Sequence, residues 1–441
     1  MVNLRQMCLE LILTTVTTSH WIDQNIERNW RVLQMTQLPM QAIALVIFLE
    51  LAFYRKVNKD KREKTMIELS VFKQALEKLA ELLDISDSAY DRIEKSYETL
   101  GEWLGRDESS VKDDQPEIYT QGSFRLGTVI RPISDKDDYD IDLVCQLNSP
   151  ELTIDSISQK HLKEKIGEEI KLYAKSKGMQ PPEEKKKCWG LNYRDPKYHI
   201  DALPALPNRT IKISATRISI TNNTKPYYAR VHSDWDSGDP KGYSEWFKKR
   251  METQFDAVRL KMASNARANV EEIPEYRVKT PLQRAIQVLK RHRDIMFQNN
   301  SGNKPVSIII TTLAAHAYKN ETDLYDAITT IVNNMAQHIT TKNGEDWVEN
   351  PVNSSENFAD KWSKNKTLRN NFHSWLTEAK TIFATMRQSK DIEEMITVMG
   401  AAFGEVTANK VDSYFSQSED VKSTPLIIES AATNRPKPWK K

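Results

Sequence analysis

The stretch Tyr119 to Val144, YTQGSFRLGTVIRPISDKDDYDIDLV, constrains this chain more than any other. It ends in an apolar alternation interrupted by two acids. Successive side chains of a strand point to opposite faces, so Asp140 and Asp142 share one face while Ile141 and Leu143 share the other. Neighbouring carboxylates repel unless a cation lies between them, and oxygen ligands of this kind suit Mg²⁺ or Mn²⁺. Two such ions can clamp the attacking and leaving oxygens of an in-line phosphoryl transfer. A third acid, Asp201, follows the β-rich run Tyr198-His199-Ile200 in KYHIDALPAL, and a neighbouring strand would bring it to the same edge.

The first half of the stretch holds a Gly-Ser pair on an expected strand-to-helix turn. Gly122 allows a tight turn and close backbone approach to a ligand. Ser123 offers a hydroxyl and an N–H at a helix start, where phosphate oxygens bind well. Alone, a Gly-Ser is usually a plain turn and a DxD usually a solvated strand edge. GSFRLGT followed by a strand-borne DxD and a later strand-borne Asp is far more specific. The set points to a two-metal nucleotidyltransferase that holds the β- and γ-phosphates of a nucleoside triphosphate on the Gly-Ser turn.

QGSFRLGT, DYDIDLV and HIDALPAL resemble the CD-NTase family, bacterial relatives of cyclic GMP-AMP synthase within the polymerase-β-like nucleotidyltransferase superfamily. The resemblance runs over roughly residues 66–425, and Gly122, Ser123, Asp140, Asp142 and Asp201 match the family pattern one by one. It implies an α+β, bilobal, polymerase-β-like fold with a mixed-sheet catalytic core and a C-terminal helical lobe. It implies ATP or other ribonucleoside triphosphates as substrates, bound at Gln121, Gly122 and Ser123, and two Mg²⁺ ions (Mn²⁺ serving as well) on Asp140, Asp142 and Asp201. The implied product is a cyclic di- or trinucleotide messenger of antiphage (CBASS) defence. Lys290 matches a family lysine that reaches the triphosphate, and Ser307, in KPVSIIITTLAAHAY, a serine that contacts the nucleotide. Asn357 reads as structural, with ligand contact open. Two other classes share the scaffold: a transferase that modifies an RNA end or a protein, and a non-catalytic sensor. The presence of all three acids argues against the sensor.

Composition adds bounds. With 63 basic and 61 acidic residues the formal charge is +2, which gives no global nucleic-acid signature. Cys8, Cys145 and Cys188 are too scattered for a disulfide framework or a zinc site, so the zinc-bearing insert of the animal enzyme has no counterpart. Low cysteine use fits a cytoplasmic protein. An activating RNA or a regulatory protein remains an open partner class; a monomer or weak oligomer, with no membrane association, is expected.

The chain divides at residues 65, 275 and 425. Residues 1–65 form an extension unlike the rest. Its apolar segment Leu38–Tyr54 falls short of the ~20 residues of a membrane helix and carries Gln41 and Glu50. A packed helix or a mis-called start, with translation beginning at Met66, explains it, and we favour the latter. Residues 66–275 form the core. It opens with a spine of two helical stretches between Ile67 and Leu104, the second capped by Ser86. A further helix is expected over 157–177, paired strands over 188–193 and 198–203, and a strand over 211–220. Asp135, Asp137 and Asp138 fall in a solvated loop. Residues 276–425 form the helical lobe, entered by a helix with Thr280 as N-cap and Pro281 at its first position. Arg291 and Arg293 on that helix read as a solvated basic face. Residues 426–441 are a flexible basic tail without the small-residue terminus that conjugation would need.

Overall fold

The computed structural model describes residues 66–133, 139–193, 198–209, 215–266, 270 and 275–417. The expectations for residues 1–65, for the Asp135–Asp138 loop, for the 194–197 turn and for the tail lie outside the described residues. Among the described residues no helix is long and apolar enough to cross a membrane.

The spine is two helices, α1 (Leu69–Leu83) and α2 (Asp87–Gly105). Ser86 starts the second as expected: its hydroxyl accepts the Ala89 N–H at 3.2 Å. Strand β1 (Pro116–Thr120) runs into a single helical turn, α3 (Gly122–Arg125), and the chain returns as β2 (Tyr139–Leu147). After α4 (Gln159–Ser176) come β3 (Glu183–Glu184), β4 (Trp189–Tyr193), β5 (Tyr198–Pro207), β6 (Ile218–Ile220) and β7 (Asp236–Gly238). The strand expected over 211–220 is thus confined, within the described residues, to Ile218–Ile220.

These strands form one sheet in the order β1-β2-β5-β4-β3, with β6 and β7 continuing from the far end of β5. Only β2 and β5 pair in parallel; the other pairs are antiparallel. Alternation sorts the strands cleanly. Ile141, Leu143, Cys145, Ile200 and Ala202 bury one face against α2 and α4, through Ile93, Leu100, Leu162, Ile166 and Ile170. The opposite face is apolar at Val144, Leu203 and Ala205, where it packs on Tyr119, Ile218 and Ile220. Two residues further toward the strands' N-terminal ends, that same face turns acidic.

The second lobe opens with α5 (Pro240–Ala266) and α6 (Pro281–Met296), followed by α7 (Ser307–Ala317) and α8 (Leu324–Asn334). It closes with α9 (Lys366–Gln388), α10 (Ile392–Phe403) and α11 (Glu405–Gln417). Between α8 and α9 lie two short antiparallel pairs, β8 (Thr340–Lys342) with β9 (Glu345–Trp347) and β10 (Glu349–Asn350) with β11 (Asn353–Asn357). Thr280 and Gln283 form a capping box on α6, with Pro281 at its first turn. Helix α1 buries Phe72, Leu76, Leu79 and Leu83 in the same apolar core as α5 and α6.

Helix α6 corrects one expectation. Arg291 and Arg293 do not make a solvated face; they are only 3% and 4% exposed. Five side chains on or just before this helix donate to six carbonyls of the irregular segment between α3 and β2. Gln283 reaches Leu126 O at 2.9 Å, Lys279 Gly127 O at 3.0 Å, Lys290 Thr128 O at 2.8 Å and Gln287 Val129 O at 2.8 Å. Arg291 reaches Arg131 O at 2.5 Å and Pro132 O at 3.3 Å. A buried segment outside any ladder must find donors for its carbonyls, and long basic or amide side chains supply them. Gly127, at φ +66°, permits the approach: a Cβ there would stand 2.5 Å from Gln283 Nε2.

Candidate active site

The parallel register of β2 and β5 sets Asp142 opposite Asp201 and Asp140 opposite His199. All four lie on the face that is apolar further along, so the acids gather at one end of the sheet. The Gly-Ser turn packs directly over them. Gln121 N–H donates to Asp142 O at 2.8 Å. Gly122 has φ +61°, and a Cβ on it would come 2.5 Å from Asp142 Oδ2. Both the backbone conformation and the space therefore demand glycine. Ser123 is the second residue of α3; its carbonyl accepts Thr128 N–H at 2.9 Å, which closes the turn. Because α3 is one turn long, it has little macrodipole. What it offers a phosphate is the N–H groups of its first residues, which have no acceptor within the turn, and the Ser123 hydroxyl.

Electrostatics separate the three acids. Asp142 is pushed up to about 6, first by burial and then by the charges of Asp201 and Asp140. The exposed Asp140 is held below the ordinary carboxylate range, chiefly by its hydrogen bond from His199, whose Nε2 lies 2.5 Å from Oδ1. The same bond raises His199. Asp201 Oδ1 is paired with Lys185 Nζ at 2.7 Å. Burial works against the charge on Lys185, but the bond and charge of Asp201 outweigh it and raise its affinity for a proton. Among the described residues no set of three or more His, Cys, Asp or Glu side chains is already gathered as a metal centre. The donor set nevertheless suits a hard divalent cation: three carboxylates, of which the central one resists ionisation because it is buried between two others.

The remaining residues take less direct places. Lys290 is buried, and its ammonium donates to Thr128 O. Burial, then the Arg293 charge, pull it down to about 7. Ser307 begins α7, and its Oγ accepts from Arg293 Nη1 at 2.8 Å. Asn357 is structural: Oδ1 accepts from Val348 N–H and Ala359 N–H at 2.9 Å each, and Nδ2 donates to Asp346 O at 2.9 Å. Sequence reasoning missed His199 and Lys185. His199 was findable, since in HIDALPAL it stands two residues before Asp201 and so on the same face. Lys185, in a run of three lysines, carried no such mark.

Residues 116–204 match the family profile described as cyclic GMP-AMP synthase DncV-like, nucleotidyltransferase domain. The c-di-GMP synthase of Roseivirga ehrenbergii is 31% identical over 333 residues, 75% of this chain and 83% of that protein. The cyclic dinucleotide synthase CdnG of Bradyrhizobium diazoefficiens is 22% identical over 360 residues, 78% of this chain and 82% of that one. The structure of B. diazoefficiens CdnG with GTP superimposes with a TM-score of 0.62 at 19% identity, covering 78% of this chain and 99% of the other. Escherichia coli CdnC with ATP superimposes at 0.53 and 12% identity, over 75% and 97% of the two chains. The fold is polymerase-β-like, and the matched domain and the Roseivirga relative make the protein a nucleotidyltransferase. Its identity to the Roseivirga synthase, sustained over three quarters of its length, shows that the chain belongs to the CD-NTase family.

Proposed function

We propose that the protein joins ribonucleoside triphosphates into a cyclic di- or trinucleotide with release of pyrophosphate, as a signal in antiphage (CBASS) defence. The observation that carries this reading is the in-register pair Asp142 and Asp201, with Asp140 beside them and the Gly122 turn packed on Asp142 Oδ2. The named activities of the Roseivirga and Bradyrhizobium relatives support it. Asp140, Asp142 and Asp201 would hold two Mg²⁺ or Mn²⁺ ions, which supply positive charge at the attacking and leaving oxygens. The triphosphate lies on the Gln121-Gly122-Ser123 turn, where the N–H groups of Gly122 and Ser123 and the Ser123 hydroxyl bind phosphate oxygens. Lys290 supports that turn from beneath and Ser307 meets the nucleotide from the helical lobe. Asp201 takes the proton of the acceptor sugar hydroxyl. The new bond forms between that oxygen and the α-phosphorus as the bond to the β-phosphate breaks, and a second such step closes the ring. A regulatory protein partner is in keeping with the solved E. coli CdnC–HORMA complex, whose fold this chain shares at a TM-score of 0.52 and 13% identity.

Incubating purified protein with the four labelled ribonucleoside triphosphates and Mg²⁺, then phosphatase, then mass spectrometry, tests this. A phosphatase-resistant cyclic product is expected. Extension of an added RNA, with no cyclic product, would place the enzyme among end-adding transferases instead.

A further inference from the structure

Each outer carboxylate of the site faces a basic side chain that the protein itself provides: His199 for Asp140 and Lys185 for Asp201. Among the described residues no basic side chain pairs with Asp142 in the same way.

The Lys185 contact is built. Lys185 opens a tight turn between β3 and β4, closed by Lys185 N–H donating to Cys188 O at 2.9 Å. The turn's carbonyls are tied down one by one. The fully buried Lys163 donates to Lys185 O and, at 3.2 Å, to Lys186 O, and pairs with Glu184 at 3.1 Å. Asn223 N–H reaches Lys186 O at 3.0 Å, and Thr221 Oγ1 reaches Lys187 O at 3.2 Å. From this fixed turn the Lys185 side chain passes Gly190, the β4 residue paired with Asp201. A Cβ on Gly190 would stand 3.1 Å from Lys185 Cε and 3.5 Å from Asp201 Oδ1. Its absence opens the path by which the ammonium reaches Asp201.

We propose that Lys185 is the positioning residue of the third carboxylate: its ammonium holds Asp201 in the free enzyme where a divalent cation holds it in the working enzyme, so the two compete for one carboxylate. This rests on the metal-site reading above. The pair keeps Asp201 beside Asp142 despite their repulsion. An ammonium supplies one charge through a part-exposed contact, which a doubly charged ion with oxygen-ligand preference can displace. Lys185 therefore weakens cation binding until a triphosphate adds its own ligands.

Mn²⁺ binding to the full-length protein without nucleotide, read from the free Mn²⁺ signal in electron paramagnetic resonance, tests the proposal. Wild type, Lys185→Met, Lys185→Gln, Lys185→Arg and Asp142→Asn are compared, with melting temperatures to confirm folding. Lys185→Met and Lys185→Gln should bind Mn²⁺ roughly two- to fivefold tighter than wild type, the scale of a part-exposed ion pair. Lys185→Arg, which keeps the charge, should stay near wild type. The neutral variants should also reach half-maximal turnover at lower Mg²⁺. A merely structural lysine would move Mn²⁺ affinity the other way, along with the melting temperature. Unchanged or weaker Mn²⁺ binding in both neutral variants overturns the proposal while leaving the metal site standing. Equal Mn²⁺ binding by wild type and Asp142→Asn would instead overturn the metal-site reading, and this proposal with it.

Discussion

Asp142 and Asp201 face one another across the parallel β2–β5 ladder, and the central member of the acidic cluster, Asp142, is the one pushed up to about 6. Its shift runs from the ordinary carboxylate value upward, so the folded chain keeps a proton that the unfolded chain has already lost. Stability therefore falls as pH rises through the window between about 4 and 6, and the full cost is present above it. Asp142→Asn removes that cost. Without metal at pH 7.5 the variant should be more stable than wild type by on the order of 1–3 kcal/mol, with the gap closing toward pH 4. Its synthesis of product should fall to background. Melting curves across pH, paired with product analysis, check both halves; turnover retained in Mg²⁺ would sink the site assignment.

Gly122 is predicted to tolerate no side chain. Gly122→Ala combines a positive φ with a Cβ 2.5 Å from Asp142 Oδ2. The strain should lower stability by about 1–3 kcal/mol. Relief is available only by moving the turn or rotating the carboxylate, and either spoils the site. Turnover should therefore fall by far more than the loss of folded protein explains. Wild-type turnover per folded molecule would show that the turn is not part of the machinery.

The pair His199–Asp140 predicts a pH window. His199 is raised by the pair, so its contribution is fully present below its ordinary value of 6.5 and is lost as pH rises through the raised value. Asp140 is lowered by the same pair, so its contribution is present above 3.8 and is lost as pH falls through the lowered value. The melting-temperature difference between wild type and His199→Gln should accordingly be largest at mildly acidic pH and shrink on both sides. A difference that is flat from pH 3 to pH 9 would mean that the ion pair does not form in solution.

The parts of this site that were legible in sequence follow short-range rules. Period two placed Asp140 and Asp142 on one face, and the positive-φ turn needed Gly122. Asp201 required one assumption, that its strand neighbours β2, and the parallel register satisfies it. Lys185 was not legible, because its reach to Asp201 depends on a glycine in another strand and on a turn pinned by Lys163. The burial of Arg291 and Arg293 was misread for a related reason. A basic residue on a helix signals solvent only when no unsatisfied carbonyl lies opposite, and no local pattern announced the segment 126–132 opposite Arg291 or the Pro305 carbonyl opposite Arg293. Capping did announce itself, at Ser86 and Thr280, since its partners lie within three residues.

That segment gives the last prediction. It carries the chain from the Gly-Ser turn toward the DxD strand, and its carbonyls are held by the side chains of α6 in the other lobe. Gln287 is fully buried and donates to both Val129 O at 2.8 Å and Asp84 Oδ1 at 2.7 Å. Gln287→Leu keeps much of the volume but leaves both acceptors without that donor, a loss of about 1–3 kcal/mol. Val288→Ala, a buried apolar cut on the same helix, should cost a similar ~1–3 kcal/mol without touching the segment. If the helical lobe positions the triphosphate turn through these bonds, Gln287→Leu should raise the KM for triphosphate several-fold while Val288→Ala leaves it near wild type. Both comparisons belong at a temperature where each variant is folded. Equal KM values in the two variants would reduce the carbonyl ladder to a stability element. A selective rise with Gln287→Leu would show that the helical lobe sets the geometry of the turn proposed to carry the phosphates.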